Sequence, residues 1–113
     1  MTDQKEKEYN QYQEVLDIHI NSSQLVIFSK TTCGFCTRAK EAIRKLNIEP
    51  LVIELDYHNN GKELQKVLYK ITGRITVPSV WINKEFIGGC DETLELIRDN
   101  LFLKELTRLT VIH

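Results

Sequence analysis

Two cysteines with only two residues between them, Cys33 and Cys36 in the stretch SKTTCGFCTRAK, constrain this chain more than any other feature. They follow the apolar run LVIF, which predicts a strand covered on both faces. After them, apolar residues recur at helical spacing: Ala39, Ala42, Ile43 and Leu46. The pattern predicts a helix that begins near Cys33 and ends near Asn47. Because residues three apart on a helix are neighbours, the two thiols can close a disulfide without unfolding the chain.

The thiol pair lies within an alternation of predicted elements. Their order is helix, strand, helix, strand, helix, strand, strand, helix, helix. The first two strands flank a helix and should be parallel with a right-handed crossover, whereas the last two form a hairpin around Asn83-Lys84. A C-x-x-C motif beside a strand–helix–strand unit is typical of thioredoxin-like proteins. We therefore expect an α/β, thioredoxin-like fold: a mixed four-stranded sheet flanked by about five helices.

Composition and charge exclude several classes of protein. The chain has 113 residues, a net charge of -1 and three cysteines. That charge provides no field for nucleic acid or an anionic membrane, and no apolar run approaches the ~20 residues of a membrane helix. The polar start MTDQKEKEYNQYQ lacks a secretory signal, and an odd cysteine count argues against a disulfide framework. We expect a cytoplasmic protein with no nucleic-acid or membrane partner, a disordered polar lead over residues 1–8 and a single domain over residues 9–113.

The two thiols are expected to have different roles. Cys33 is predicted in the first helical turn, where backbone N–H groups lack helical partners and the helix dipole favours an anion. Lys30 adds positive charge nearby, whereas Cys36 lies one turn deeper and should be less exposed. We predict that Cys33 attacks as the thiolate and that Cys36 resolves the product. A zinc site is the other reading of a close thiol pair, but it usually needs four ligands, and the chain has no second pair.

Three motifs in order, CGFC, TVP and GGCD, resemble those of the glutaredoxins over about Tyr9 to Leu109. The KTTC spacing and the second thiol, Cys36, are similar to the dithiol group of that family rather than to the monothiol C-G-F-S group. The resemblance implies a glutathione-dependent thiol–disulfide oxidoreductase. Such an enzyme reduces protein–glutathione mixed disulfides and protein disulfides, so the implied partners are glutathione and glutathionylated or disulfide-containing proteins.

The resemblance also implies a glutathione site. Family members bind the γ-glutamyl end at the GGCD motif, pair the ligand with backbone beside a cis-proline, and meet the glycine carboxylate with a Lys and a Gln or Arg. Carried onto this chain, the implied glutathione contacts are Lys30, Phe35, Gln65, Thr76, Val77, Pro78, Gly89, Cys90 and Asp91. Asp91 is also expected to cap the next helix. Many members carry an Arg directly before TVP, where this chain has Ile75 and places Arg74 one position earlier.

Gly34 motivates an alternative function. Relatives with Gly or Ser at this position hold a [2Fe–2S] cluster between two subunits, using the first cysteine of each and two glutathiones. By resemblance, Cys33 would be the cluster ligand, and the protein would be an iron–sulfur carrier or redox sensor, a monomer that becomes a cluster-bridged homodimer. Two further readings are less favoured: the paired ends of a glutathione site argue against a thioredoxin-like enzyme reduced by a flavoprotein, and two thiols at one helix start conflict with a redox-inert binding domain.

Overall fold

The computed structural model describes residues 3–108 and shows the predicted order of elements. The helices are α1 (Asp3–Asn21), α2 (Gly34–Arg44), α3 (Gly61–Thr72), α4 (Cys90–Arg98) and α5 (Phe102–Arg108). The strands are β1 (Leu25–Ser29), β2 (Leu51–Glu54), β3 (Ser79–Ile82) and β4 (Glu85–Gly88). They form one sheet in the order β2-β1-β3-β4, with β1 parallel to β2 and β3 antiparallel to both β1 and β4. The predicted mixed four-stranded sheet with five helices is confirmed over these residues.

Strand β1 lies in the middle of the sheet, and each of its residues is buried. Because side chains alternate along a strand, β1 contributes to two cores. Val26 and Phe28 pack with apolar side chains of α1 and α3, whereas Leu25 and Ile27 pack with Ile43 of α2 and with α5. The unbroken apolar run therefore packs into the cores on both faces of the sheet. The thiol pair follows shortly after the end of β1.

Helix α1 begins at Asp3, so the structure corrects the expectation of disorder for residues 3–8. This segment is rich in Gln, Lys and Glu, which favour helix, and Gln4 donates a hydrogen bond to Glu8 one turn later at 3.2 Å. Residues 1–2 and 109–113 lie outside the described residues, and the domain boundary 9–113 stays a prediction. Among the helices of residues 3–108, none combines the length and apolarity needed to cross a membrane.

Residues with a positive φ angle lie at the predicted β3–β4 hairpin and near the predicted end of α2. The hairpin turn between β3 and β4 has φ of 50° at Asn83 and 70° at Lys84, which is the type I′ pattern and confirms the hairpin. Helix α2 ends at Arg44, three residues before the predicted end near Asn47. Asn47 has a φ of 63°, and this left-handed backbone conformation cannot continue an α-helix.

Candidate active site

Cys33 is the N-cap of α2, as the sequence predicts. Its backbone is extended, with φ -99° and ψ 115°, and its sulfur accepts a hydrogen bond from the backbone N–H of Cys36 at 3.2 Å. The first N–H groups of a helix have no partner within it, and together with the helix dipole they stabilise a negative charge at this position. The same sulfur lies 3.6 Å from the carbonyl oxygen of Val77. Cys33 is partly exposed, so an incoming sulfur can reach it.

Cys36 lies in a different environment. Its side chain is 0% exposed, and burial, reinforced by Cys33, raises the pKa of its thiol to about 11. At neutral pH this thiol therefore keeps its proton. The structure confirms the predicted difference in exposure between the two cysteines, and both are free thiols.

The loop before Cys33 is anchored to the end of β2 through Asp56. The backbone N–H of Thr31 donates to both carboxylate oxygens of Asp56, at 3.2 and 3.1 Å, and the Thr31 hydroxyl donates to the same carboxylate. These bonds, led by the hydroxyl, lower the pKa of Asp56. The sequence analysis did not identify Asp56 as a site residue. The available signal was a carboxylate just after the mostly apolar run LVIEL, at the edge of the sheet where the parallel strand β1 also ends.

A first cleft of about 260 Å³ lies between the segment leading into β3 and the start of α4. Seven of the nine predicted glutathione residues line it: Phe35, Thr76, Val77, Pro78, Gly89, Cys90 and Asp91. The Val77–Pro78 peptide bond is cis, as the resemblance implied. Because the Val77 carbonyl also faces the Cys33 sulfur, the cleft adjoins the exposed thiol.

The other two predicted residues, Lys30 and Gln65, line a second cleft of about 410 Å³ together with Asp56. The Gln65 side-chain amide donates to the carbonyl oxygen of Ile75 at 2.9 Å. Lys30 of the second cleft and Phe35 of the first therefore belong to one short segment, and the Gln65–Ile75 bond ties the second cleft to the residue before the Thr76–Pro78 wall of the first. The predicted ligand contacts are divided between two adjacent clefts.

The GGCD motif forms the start of α4, but its cap differs from the prediction. Helix α4 begins at Cys90 with Gly89 as N-cap, so Asp91 lies in the first turn and does not cap the helix. The carboxylate of Glu92 accepts a hydrogen bond from the Gly89 backbone N–H at 2.7 Å and takes the capping role. Cys90 is buried, and burial raises the pKa of its thiol, which fits a small packed side chain.

Arg74 and Glu92 join the two walls of the first cleft, and sequence reasoning missed their pairing. Two guanidinium N–H groups of Arg74 donate to the two carboxylate oxygens of Glu92, each at 2.9 Å. These bonds, with the one from Gly89, lower the pKa of Glu92 to about 2. The available signal was a Glu three residues after the N-cap, the usual position of a capping carboxylate.

The side chains available to a metal are few. Among residues 3–108, no group of three or more His, Cys, Asp or Glu side chains converges on one point. A cluster shared between two chains needs less from each: Cys33 is partly exposed, and an added Cβ at Gly34 would meet no atom within 4 Å. The residues thus offer one accessible cysteine sulfur per chain with open space beside it.

A close thiol pair at a helix N-terminus, facing a cis-proline beside a mixed four-stranded sheet, defines a thioredoxin-fold protein with a dithiol site. A family model described as Glutaredoxin matches residues 25–87. Glutaredoxin-2, mitochondrial, of Pongo abelii is 43% identical over 94 residues, which cover 83% of this chain and 56% of that protein. The chain belongs to the glutaredoxin family.

Other relatives show the same likeness. Glutaredoxin-C2 of Arabidopsis thaliana is 40% identical over 93 residues, covering 82% of this chain and 84% of the relative. The structure of the buckwheat glutaredoxin–glutathione complex superposes with a TM-score of 0.87 at 37% identity, covering 96% of this chain and 98% of that one. The holo form of glutaredoxin C1 from Populus tremula x tremuloides gives 0.79 at 36% identity, covering 90% and 97%. The chain spans about half the length of the first curated relatives it matches, 56% and 48%.

Proposed function

We propose that this protein is a glutathione-dependent thiol–disulfide oxidoreductase that reduces protein–glutathione mixed disulfides and protein disulfides. The observation that carries the proposal is the Cys33 sulfur, which sits at the N-cap of α2, accepts the Cys36 N–H and adjoins a cleft. Cys36 stays buried and protonated behind it. This arrangement presents one reactive sulfur to a disulfide and holds a second in reserve.

Deglutathionylation uses Cys33 alone. The Cys33 thiolate attacks the glutathione sulfur of the mixed disulfide, and the protein thiolate leaves and takes up a proton. Cys33 then carries glutathione as a new disulfide. A second glutathione thiolate attacks that disulfide at the glutathione sulfur, which releases oxidised glutathione and restores the Cys33 thiolate. The helix N-terminus stabilises the thiolate as attacker and as leaving group, and a good leaving group speeds the second step.

Reduction of a protein disulfide adds Cys36. The Cys33 thiolate first attacks one sulfur of the target disulfide, which breaks that disulfide, forms a mixed disulfide with Cys33 and releases the other target sulfur as a thiolate that takes up a proton. Cys36 then gives up its proton and attacks the Cys33 sulfur; the second target sulfur leaves as a thiolate, takes up a proton, and a Cys33–Cys36 disulfide remains. The Cys36 N–H already lies 3.2 Å from the Cys33 sulfur, so the two residues are close enough for this step. Two glutathiones return the pair to thiols.

Glutathione binding is supported by the likeness to the buckwheat glutaredoxin–glutathione complex. In this chain, the first-turn N–H groups of α4 suit the γ-glutamyl carboxylate, and the Asp91 carboxylate suits its ammonium group. Lys30 in the second cleft suits the glycine carboxylate. Gln65 supports this end indirectly, because its amide N–H is bonded to the Ile75 carbonyl.

Substitution of each cysteine tests the assignment. Cys33→Ser should abolish all turnover, because no other partly exposed thiol faces the cleft among the described residues. Cys36→Ser should keep deglutathionylation and lose most reduction of protein disulfides. Turnover of a glutathionylated peptide and of a disulfide protein, coupled to glutathione reductase, measures both. Cys90→Ser removes the third thiol but keeps the backbone N–H assigned to glutathione, so it controls for the loss of a thiol as such. Normal activity of Cys33→Ser would refute the proposal.

The cluster-binding function is a second candidate, and the open space at Gly34 favours it. If the protein binds a [2Fe–2S] cluster, Cys33 of each of two chains would hold it with two glutathiones, and the cluster would serve as cargo or as a redox sensor. Anaerobic reconstitution with glutathione, followed by visible absorption and gel filtration, should then give a coloured dimer. Gly34→Pro tests the residue, and a colourless wild-type monomer would contradict the candidate.

The cytoplasmic location and the protein partners also belong to the proposal. Two free thiols at one helix start require a reducing compartment to stay reduced. Fractionation with detection of the native protein should place it in the cytosol, and a Cys36→Ser variant should trap target proteins as mixed disulfides on Cys33. Recovery only from an organelle would contradict the location.

A further inference from the structure

Arg74 and Glu92 come from opposite walls of the first cleft and meet through a bidentate ion pair. Both N–H···O distances are 2.9 Å, and the Arg74 guanidinium also lies 5.7 Å from the centre of the Phe86 ring. A bidentate Arg–carboxylate pair is geometrically specific as well as strong. Arg74 precedes the Thr76–Pro78 wall, and Glu92 belongs to the α4 wall, so the pair spans the cleft.

The ion pair continues into the backbone of the α4 wall. The Glu92 oxygen bonded to Arg74 also accepts the Gly89 N–H at 2.7 Å. An added Cβ at Gly89 would lie 3.3 Å from the Pro78 carbonyl and 3.6 Å from Arg74, so the two walls touch at this point. Gly89 immediately precedes the Cys90 and Asp91 N–H groups that are assigned to the ligand carboxylate. The position of those groups therefore depends on where Glu92 is held.

The pair also sets the charge of the cleft. Asp91 and Glu92 place two adjacent carboxylates at the start of α4, and among the residues that line the cleft Arg74 is the cation. Glu92 is neutralised by that cation, which leaves Asp91 for the ligand ammonium. Without Arg74, the negative charge of Glu92 would be uncompensated beside the site assigned to the ligand carboxylate, and like charges repel.

Arg74 is itself held in place. Its backbone N–H donates to the Thr72 hydroxyl at 3.1 Å, just after α3 ends at a left-handed Gly73. The next residue, Ile75, is 63% exposed and contributes no charge. Arg74 lies one position before the Arg that many family members carry, and in this chain it is placed to pair with Glu92.

We propose that Arg74 is a positioning residue for glutathione: through Glu92 it fixes the Gly89–Asp91 backbone against the Thr76–Pro78 wall and keeps Glu92 from repelling the γ-glutamyl carboxylate. The inference rests on the proposed function, because it names what aligns that same site. Arg74 contacts neither Cys33 nor Cys36 and takes no part in the sulfur chemistry. Its loss should therefore raise KM for a glutathionylated substrate and leave kcat unchanged.

The test compares Arg74→Gln, Glu92→Gln, the double variant and Arg74→Lys in steady-state turnover of a glutathionylated peptide. Arg74→Gln should raise KM about fivefold at equal kcat, in line with the loss of a well-aligned ion pair. The double variant should recover part of that loss, because the uncompensated carboxylate is gone. Arg74→Lys keeps the positive charge but cannot form the two parallel hydrogen bonds, so its KM should lie between those of wild type and Arg74→Gln.

The exposed pair Arg44–Glu49 provides a matched control. It is also bidentate, with the shortest N–H···O distance at 2.9 Å, and it lies between the end of α2 and the following loop, outside both clefts. Arg44→Gln should leave KM and kcat at wild-type values. The amide resonance of Gly89, recorded without glutathione, should shift in Arg74→Gln and not in Arg44→Gln, which tests the positioning step apart from any activity.

The outcomes separate the two proposals. A wild-type protein without glutathione-dependent turnover would overturn the proposed function. An active wild type with unchanged KM in Arg74→Gln, or an equal fall in kcat and melting temperature in all Arg74 and Glu92 variants, would overturn the positioning role. If Arg74→Gln fails to fold, Arg74→Lys and Glu92→Gln carry the same comparison, and unchanged KM and Gly89 resonance in both would refute the inference.

Discussion

One turn of helix separates Cys33 and Cys36 and places their thiols in two different environments. Cys33 lies at the surface, where the helix start offers an N–H to its sulfur, and Cys36 lies in the interior, where burial raises the pKa of its thiol to about 11. One unit of pKa corresponds to about 1.4 kcal/mol between the two protonation states. The order of attack therefore follows from access and from the raised pKa of Cys36: the Cys33 sulfur is partly exposed, whereas the Cys36 thiol is buried and keeps its proton at neutral pH.

Alkylation should reveal this difference between the cysteines. At pH 8, iodoacetamide should modify Cys33 well before Cys36, because the thiolate is the reactive form. With the pKa of Cys36 at about 11, its thiolate fraction at that pH is only about one in a thousand. Mass spectrometry of the cysteine peptides against time measures the rates, and Cys90 is the buried control. Faster labelling of Cys36 than of Cys33 would contradict the assignment.

Sequence reasoning reached the thiols but not their supporting side chains. A C-x-x-C motif fixes its own geometry, since both cysteines lie on one helical turn. Asp56 and Glu92 act through partners at Thr31 and Arg74, which are distant in sequence. No periodicity in one sequence pairs such residues, because the pairing depends on how β2 and α4 are placed in the fold.

Among the helices and strands, the close approach of α3 to β2 depends on one glycine. A Cβ at Gly61, the first residue of α3, would lie 1.7 Å from the carbonyl oxygen of Leu55. Only a residue without a side chain allows this approach. The contact places the start of α3 beside the strand end that carries Asp56, and so it supports the loop before Cys33.

Substitution at this contact should be costly. Gly61→Ala should lower the free energy of unfolding by about 3 kcal/mol, because backbone must move to admit the methyl group. Gly34→Ala is the matched control, since nothing lies within 4 Å of its added Cβ, and its effect should stay below about 1 kcal/mol. Urea unfolding of both variants measures the difference. Equal stability of the two variants would contradict the contact.

The order of elements was predictable because each strand and helix carries its own apolar pattern. The ends of the helices and strands were less predictable. The start of α1 depends on polar helix formers such as Gln4 and Glu8, which composition alone also assigns to disordered leads. The end of α2 depends on a change to three-residue backbone hydrogen bonds, from the Leu46 N–H to the Ile43 carbonyl and from the Asn47 N–H to the Arg44 carbonyl, before the left-handed Asn47. The cap of α4 depends on Glu92 rather than on Asp91, because the carboxylate three residues after the N-cap reaches the free N–H.

At the scale of the whole molecule, a histidine pair links α1 to the loop between β2 and α3. His19 and His58 face each other with Nε2 atoms 3.1 Å apart, and His58 Nδ1 accepts the Asn60 N–H at 2.9 Å. A neutral His58 therefore carries its proton on Nε2 and donates it to His19. Burial, and then the neighbouring His58, lower the pKa of His19.

This contact predicts a dependence of stability on pH. The unfolded chain takes up a proton at His19 near its ordinary pKa of 6.5, whereas the folded chain takes it up only at lower pH. The unfolded state thus binds more protons below about pH 6.5, and the free energy of unfolding should fall as the pH decreases from 7.5 to 5.5. His19→Gln should show a smaller fall in urea titrations. An equal fall in both proteins would contradict the role of the pair.

Thr76–Pro78 line the first cleft and Lys30 lines the second, and the partly exposed Cys33 sulfur lies 3.6 Å from the Val77 carbonyl oxygen of the first cleft. If glutathione binds as proposed, its two charged ends, one on each side of its sulfur, would occupy the two clefts. The separation of the clefts would then select ligands by their length. Cysteine or cysteamine would engage one cleft at most, so small thiols would be poor reductants however readily they ionise.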